Sequence, residues 1–194
     1  MISINKYFLK RRINKIFNSS NREKEYLNLK EIKSVLLLFD TKDYSDAGLF
    51  IKQLKRMGKK ISVCAYKDKK DKNDYSSILH NIVTEKDMNI WKNDSLAGII
   101  NSLGSESYDL AINLTLRENL LLQYILVSID SSFKVGFSRT DLPIFDMIIS
   151  FAPQMESSGI ITVKELSKQV IHYLTTISSS NFKNKKTSKW DALI

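Results

Sequence analysis

The sequence is short of the residues that staple, coordinate and pivot. Its 194 residues include one cysteine, two histidines and six glycines. A single cysteine excludes an intramolecular disulfide. Cys64 sits inside the apolar run Ile61-Ser62-Val63-Cys64-Ala65-Tyr66. It has no basic neighbour in that run to lower its pKa, so it reads as a small buried thiol rather than a reactive one. With only His80 and His172, a zinc site would need carboxylates for most of its shell. His172, within Val170-Ile171-His172-Tyr173-Leu174, reads as a helix-surface or half-buried structural residue, and His80 has no assigned role. The glycines nowhere form G-x-G-x-x-G, G-x-x-x-x-G-K-[ST] or G-x-S-x-G. The usual dinucleotide turn, the P-loop and the hydrolase nucleophile elbow are thereby excluded. No cofactor is expected. No apolar stretch approaches the ~20 residues of a membrane span. At the N-terminus Lys6 and Lys10-Arg11-Arg12 interrupt any signal-peptide apolar region. The expectation is a cytoplasmic protein with no transmembrane segment.

Enough apolar material is present, 43% of residues against 26% charged, to build a core without disulfides. The length suits one domain. The net charge of +9 is uneven. Residues 1–33 hold nine Lys/Arg and three Glu, and residues 164–194 six Lys and two acids, for +6 and +4. Residues 34–163, with fifteen basic and sixteen acidic residues, come to −1. The basic ends are suited to contact with an anionic partner, or to plain solvation.

Apolar spacing sets out the elements. Ile2, Leu9, Ile13 and Ile16 share one face of a helix with Phe17 at its edge, and Lys6, Lys10, Arg11, Arg12 and Lys15 lie beside or opposite it. Residues 18–24 read as a polar linker, so that 1–24 form a basic helix and linker, 25–177 one α/β domain, and 178–194 a mobile basic tail. Ser34–Asp40 is a continuous apolar run ending in an acid, the pattern of a strand covered on both faces of a parallel sheet. A helix over 45–57, with Leu49, Phe50 and Leu54 apolar and Gly58 as its stop, leads to a second strand at 61–66. The unit implies a right-handed parallel crossover. A charged loop covers 67–74. Further strands are expected near 81–84 and at 109–114, 133–137 and 145–151, and a helix over 94–103. Two capping boxes, Thr115 with Glu118 and Thr162 with Glu165, are expected to open helices. The predicted fold class is α/β: an open, mostly parallel Rossmann-like sheet, helices on both faces, and an N-terminal amphipathic helix.

In such a sheet ligands bind beyond the carboxyl ends of the strands, where strand order reverses. Those ends carry Asp40-Thr41-Lys42-Asp43, Tyr66-Lys67, Thr115 to Asn119 and Ser138 to Asp141. The candidate ligand residues are therefore Asp40, Thr41, Lys42, Thr115, Arg117, Ser138 and Arg139. Asp40 also invites a phosphoacceptor reading, with Asp43, Thr115 and Lys42 as partners. No catalytic or metal-ligating set stands out. Lys10, Arg11, Arg12 and Lys15 are candidate contacts to an anionic surface, if the first helix does not simply pack its stripe on the domain.

The stretch Tyr108-Asp109-Leu110-Ala111-Ile112-Asn113-Leu114, followed by Phe133-Lys134-Val135-Gly136-Phe137, resembles the N-terminal Rossmann-like domain of heptosyltransferase-type glycosyltransferases. There a "YDLVIDL" strand and a helix lead to a "RIGF" strand. Where those enzymes carry a Gly-Asp pair after the first strand, this chain has Asp40-Thr41-Lys42-Asp43. They also hold their nucleotide sugar in a second domain, for which no counterpart is expected here. The whole chain resembles a small uncharacterised bacterial family of similar length. Tyr7-Phe8-Leu9-Lys10-Arg11-Arg12-Ile13-Asn14, Leu37 to Asp40, Ala111 to Leu114, Lys134-Val135-Gly136 and Val170 to Leu174 carry that similarity. It implies the fold and a bacterial cytoplasm, and no function. The leading functional expectation is a non-catalytic binding domain for an unidentified macromolecular partner. The alternative is a phosphorylated or nucleotide-like ligand at the strand ends, with the domain a glycosyltransferase-like remnant.

Overall fold

In the computed structural model the described residues are 4–88, 94–137, 143–152 and 161–177. The expectations for Ile2, Ser138, Arg139 and the tail at 178–194 lie outside them. Helix α1 spans Ile4–Ser19, and strand β1 spans Ser34–Asp40. A short 3-10 turn, Thr41–Asp43, feeds helix α2 at Tyr44–Arg56. Then follow β2 (Lys60–Lys67), β3 (Ile82–Thr84), a 3-10 turn at Glu85–Met88, α3 (Asp94–Gly104) and β4 (Tyr108–Asn113). The remaining elements are α4 (Leu120–Ser128), β5 (Ser131–Gly136), β6 (Met147–Ile148) and α5 (Val163–Thr176). The six strands form one sheet in the order β3-β2-β1-β4-β5-β6, every pair parallel.

The apolar run of β1 is buried on both faces because each face carries its own helical layer. Val35, Leu37 and Phe39 point to one side, where Ala47, Phe50 and Leu54 of α2 and Val163, Leu166, Val170 and Leu174 of α5 meet them. Leu36 and Leu38 point to the other, against α4, α3 and α1. Alternation along a strand produces this division. Leu49 does not belong to the buried face of α2. It is exposed, because Ala47, Phe50 and Leu54 at spacings of three and four define the inward stripe, and Leu49 lies on the far side. Gly58 ends α2 in the left-handed region at φ 77°. The Lys59 amide donates to Leu54 O and the Gly58 amide to Lys55 O, the paired bonds of a Schellman stop.

Helix α4 is apolar all round, and its residues 120–127 are all buried. Such a helix needs cover on its outer side. That cover is α1, which presses Leu9 and Ile13 into the same core, both essentially without solvent exposure. The stripe of α1 is thus a packing surface. The linker after it is pinned. Arg22 donates through Nη2 to both Asp146 carboxylate oxygens at 2.6 and 2.8 Å, and through Nη1 to the Ser131 and Ser132 carbonyls at 2.9 Å each. Asp146 in turn accepts from the Lys134 amide at 2.8 Å.

Helix α4 starts later than its Thr-x-x-Glu pattern predicts. The Asn113 side chain accepts from both the amide and the hydroxyl of Thr115, at 3.0 and 2.8 Å. Thr115 is held in that turn, and Asn119 caps the helix instead by accepting from the Leu122 amide at 3.2 Å. At α5 the expected cap is present, with Thr162 Oγ1 accepting from the Glu165 amide at 3.3 Å. At the far edge, β6 is only two residues, shorter than the run 145–151. Its neighbour Phe145 packs so tightly on β5 that a Cβ at Gly136 would collide with its ring.

Candidate functional site

Strand order reverses between β1 and β4. From β1 the chain crosses to β2 and β3 on one side, then returns to place β4 on the other. Helices packed on opposite faces leave the carboxyl ends of these two strands uncovered, and a crevice opens there. It encloses about 800 Å³. Asp40, Thr41 and Lys42 enter it from the end of β1, and Arg117, Glu118, Asn119 and Leu120 from the loop after β4. Tyr66 comes from the end of β2, Asp68 and Lys70 from the loop after it, Glu85 and Met88 from the turn after β3, and Lys6 and Lys10 from α1.

The β1–α2 turn is built of side chains rather than glycines, and this sets its chemistry. Thr41 is buried and donates its hydroxyl to Asp71 Oδ2 at 2.5 Å, which draws the charged loop 67–74 onto the turn. That bond, first among several, holds the Asp71 carboxyl below the usual carboxylate range. Asp40 closes the strand with little exposure and accepts from Asn119 Nδ2 at 3.3 Å. Lys42 Nζ lies 3.9 Å from its other oxygen. Burial pushes the Asp40 carboxyl above its ordinary range, against the pull of Lys42, and neighbouring Asp43 adds to the rise. Burial raises Asp43 in the same way. Tyr66 is raised as well, by burial and then by the carboxylates around it.

Among the described residues the lining carries five cations, Lys6, Lys10, Lys42, Lys70 and Arg117, and four carboxylates, Asp40, Asp68, Glu85 and Glu118. One pair is closed across it, Lys10 to Glu118 at 3.3 Å. Mixed charge of this kind suits a ligand with both anionic groups and hydroxyls. Lysine and arginine grip phosphate or carboxylate oxygens, and carboxylates accept from hydroxyls. No histidine or cysteine lines the crevice. His80 and His172 are exposed, and Cys64 is buried with its thiol pushed up to about 12, chiefly by burial. Among the described residues no three His, Cys, Asp or Glu side chains group as a metal site.

Of the strand-end candidates, Asp40, Thr41, Lys42 and Arg117 come together in the crevice. Thr115 does not line it. Its bonds to Asn113 turn it toward Gln123, Phe137 and Phe145. The Thr115 hydroxyl that a phosphoacceptor arrangement would use is thus already engaged by Asn113. The four basic residues of α1 separate. Lys10 faces the crevice, Arg12 Nη1 donates to the Tyr124 hydroxyl at 3.5 Å, and Arg11 and Lys15 are exposed. Lys6, Tyr66, Asp68, Lys70, Glu85 and Asn119 were missed as lining residues. Tyr66 and Asn119 were visible in the strand-end segments, and the others depend on how α1 and the loops fold back.

A family model described as a family of unknown function, DUF6913, matches residues 5–177. The chain belongs to DUF6913. The match runs from the first turn of α1 to the residue after α5, so the helix, the sheet and the crevice all lie within the DUF6913 region. No curated protein and no solved structure matches the chain. Among the described residues of this DUF6913 member, no helix is long and apolar enough to cross a membrane.

Proposed function

We propose that this protein binds a small phosphorylated or nucleotide-like molecule in the crevice at the β1–β4 switch point. The observation that carries the reading is the meeting there of Lys42, Arg117 and Lys10 from three separate chain segments, around a space of ligand size. Because the β1–α2 turn has no glycine, its backbone is not free to cradle a pyrophosphate. The anionic group is gripped by side chains, with Lys42 and Arg117 as the principal contacts and Asp40 and Asn119 placed to meet hydroxyls. The partial likeness to glycosyltransferase N-terminal domains puts nucleotide sugars and sugar phosphates first among candidate ligands. The reading is of binding and assigns no catalytic group.

A thermal-shift screen of nucleotides, nucleotide sugars and sugar phosphates tests the proposal. A true ligand at a hundredfold excess over Kd should stabilise by about 2.7 kcal/mol. Lys42→Ala and Arg117→Ala should each remove the shift while leaving the ligand-free melting temperature in place. Lys15→Ala, on the outer side of α1, should keep it. No shift across the panel, or a shift that survives both crevice variants, sinks the reading.

A further inference from the structure

Helix α1 carries a second stripe of side chains, most exposed at Ile4 and Tyr7. Ile4, Tyr7, Phe8, Arg11 and Lys15 follow spacings of three and four, so they form one stripe opposite Leu9 and Ile13. Ile4 and Tyr7 are 73% and 58% exposed, and Phe8, edge-on to Tyr7, is 36% exposed. Arg11 and Lys15 continue the stripe and are exposed. The helix contains five cations and no acid. A helix already anchored by Leu9 and Ile13 gains little for folding from the exposed Ile4 and Tyr7.

We infer that this outer face docks the protein peripherally on an anionic lipid surface. Interfacial helices combine these features: aromatic and aliphatic side chains that enter the headgroup–acyl boundary, with lysine and arginine beside them meeting anionic headgroups. The sixteen residues of α1 make a rod of about 24 Å lying along the surface. Two other occupants fit less well. A nucleic acid satisfies Arg11 and Lys15 and offers a stacking partner to Tyr7, but it gives Ile4 no apolar surface. The chain's own residues 178–194 carry four lysines and one acid, so their charge repels the stripe. The inference stands apart from the crevice, since Ile4, Tyr7, Arg11 and Lys15 do not line it.

The test is sedimentation of the full chain with phosphatidylglycerol-containing vesicles and with pure phosphatidylcholine vesicles, at low and at high salt. Binding should require the anionic lipid and weaken with salt. Each cation near such a surface contributes about fivefold in affinity, so Arg11→Ala with Lys15→Ala should weaken binding about 25-fold. Ile4→Ser with Tyr7→Ser should weaken it also at low salt, where charge alone would hold a merely electrostatic complex. Both double variants should melt with the wild type, and Lys42→Ala should bind vesicles as the wild type does. Absence of binding at low salt, equal binding to neutral vesicles, or wild-type binding by either double variant overturns the inference. So does retention on DNA, lost in the same variants, without vesicle binding.

Discussion

Thr115 and Asn119 compete for the start of one helix, and Asn113 decides between them. A Thr-x-x-Glu pattern opens a helix only while the threonine oxygen is free to accept from the amide three residues on. Here the bonds from the Thr115 amide and hydroxyl to Asn113 hold its side chain in the turn after β4, and three more residues pass before Asn119 caps α4. Asn119→Ala should therefore lower stability by about 1 kcal/mol in a urea titration. Glu118→Ala, which removes only a half-exposed pair with Lys10, should change it by less than about 0.5 kcal/mol. Equal losses would restore the capping box. Lys134 is the other residue whose surroundings reverse its usual behaviour. Its stem is buried in β5, and its amine donates to the Leu126 and Ile129 carbonyls at 2.6 and 3.2 Å, closing the end of α4. Burial, followed by nearby Arg22, brings its pKa down to about 8 from an ordinary 10.5. Between those two values the unfolded chain holds a proton that the folded chain has released, so stability rises with pH across that window and the contribution is absent below it. Denaturation midpoints from pH 7.5 to 10.5, compared with those of Lys134→Met, should show the rise in the wild type alone.

Among the elements, α1 is the one whose amphipathic pattern had two meanings. Its stripe at Leu9 and Ile13 packs on α4, and Ile4, Tyr7, Arg11 and Lys15 on the opposite side are exposed. Leu9→Ala should destabilise by about 2–5 kcal/mol, since a fully buried leucine leaves a cavity against α4. Lys15→Ala should stay within about 0.5 kcal/mol. A wild-type midpoint for Leu9→Ala would mean that the helix does not stay docked in solution. The strands were legible because burial is periodic or continuous along each one. Ser34–Asp40 and Tyr108–Asn113 could be read from a few neighbouring residues. The Arg22–Asp146 pair, which fixes the linker, joins positions 124 apart in sequence and leaves no local pattern. Leu49 was misplaced for a different reason. The inward stripe of α2 runs through Ala47, whose small side chain gives a weak apolar signal. The crevice divides along the same line. Asp40, Thr41, Lys42 and Arg117 follow from strand ends, whereas Lys6, Lys10, Lys70 and Glu85 reach it only through the return of α1 and two loops.

At the scale of the molecule, the two cores are joined by the strands that divide them. Leu37 belongs to the core under α2 and α5, and Leu38, its immediate neighbour, to the core under α1, α3 and α4. Neither helical layer can leave without stripping one face of β1, and β1 is hydrogen-bonded to both β2 and β4. A sheet peeled on one side exposes large side chains to water, so partial opening of either layer is costly. The two layers should therefore unfold together. Leu37→Ala and Leu38→Ala should each lower stability by about 2–5 kcal/mol. Each should shift the whole transition rather than half of it. Far-ultraviolet circular dichroism reports the helices of both layers, and the fluorescence of a tryptophan placed at Phe17, with Trp91 and Trp190 replaced by phenylalanine, reports the α1 side. The two should give coincident denaturation curves for both variants. If Leu37→Ala split the transition, with the Phe17→Trp signal persisting after half the helix signal was lost, the layers would be separate cooperative units. The crevice between them would then open without global unfolding.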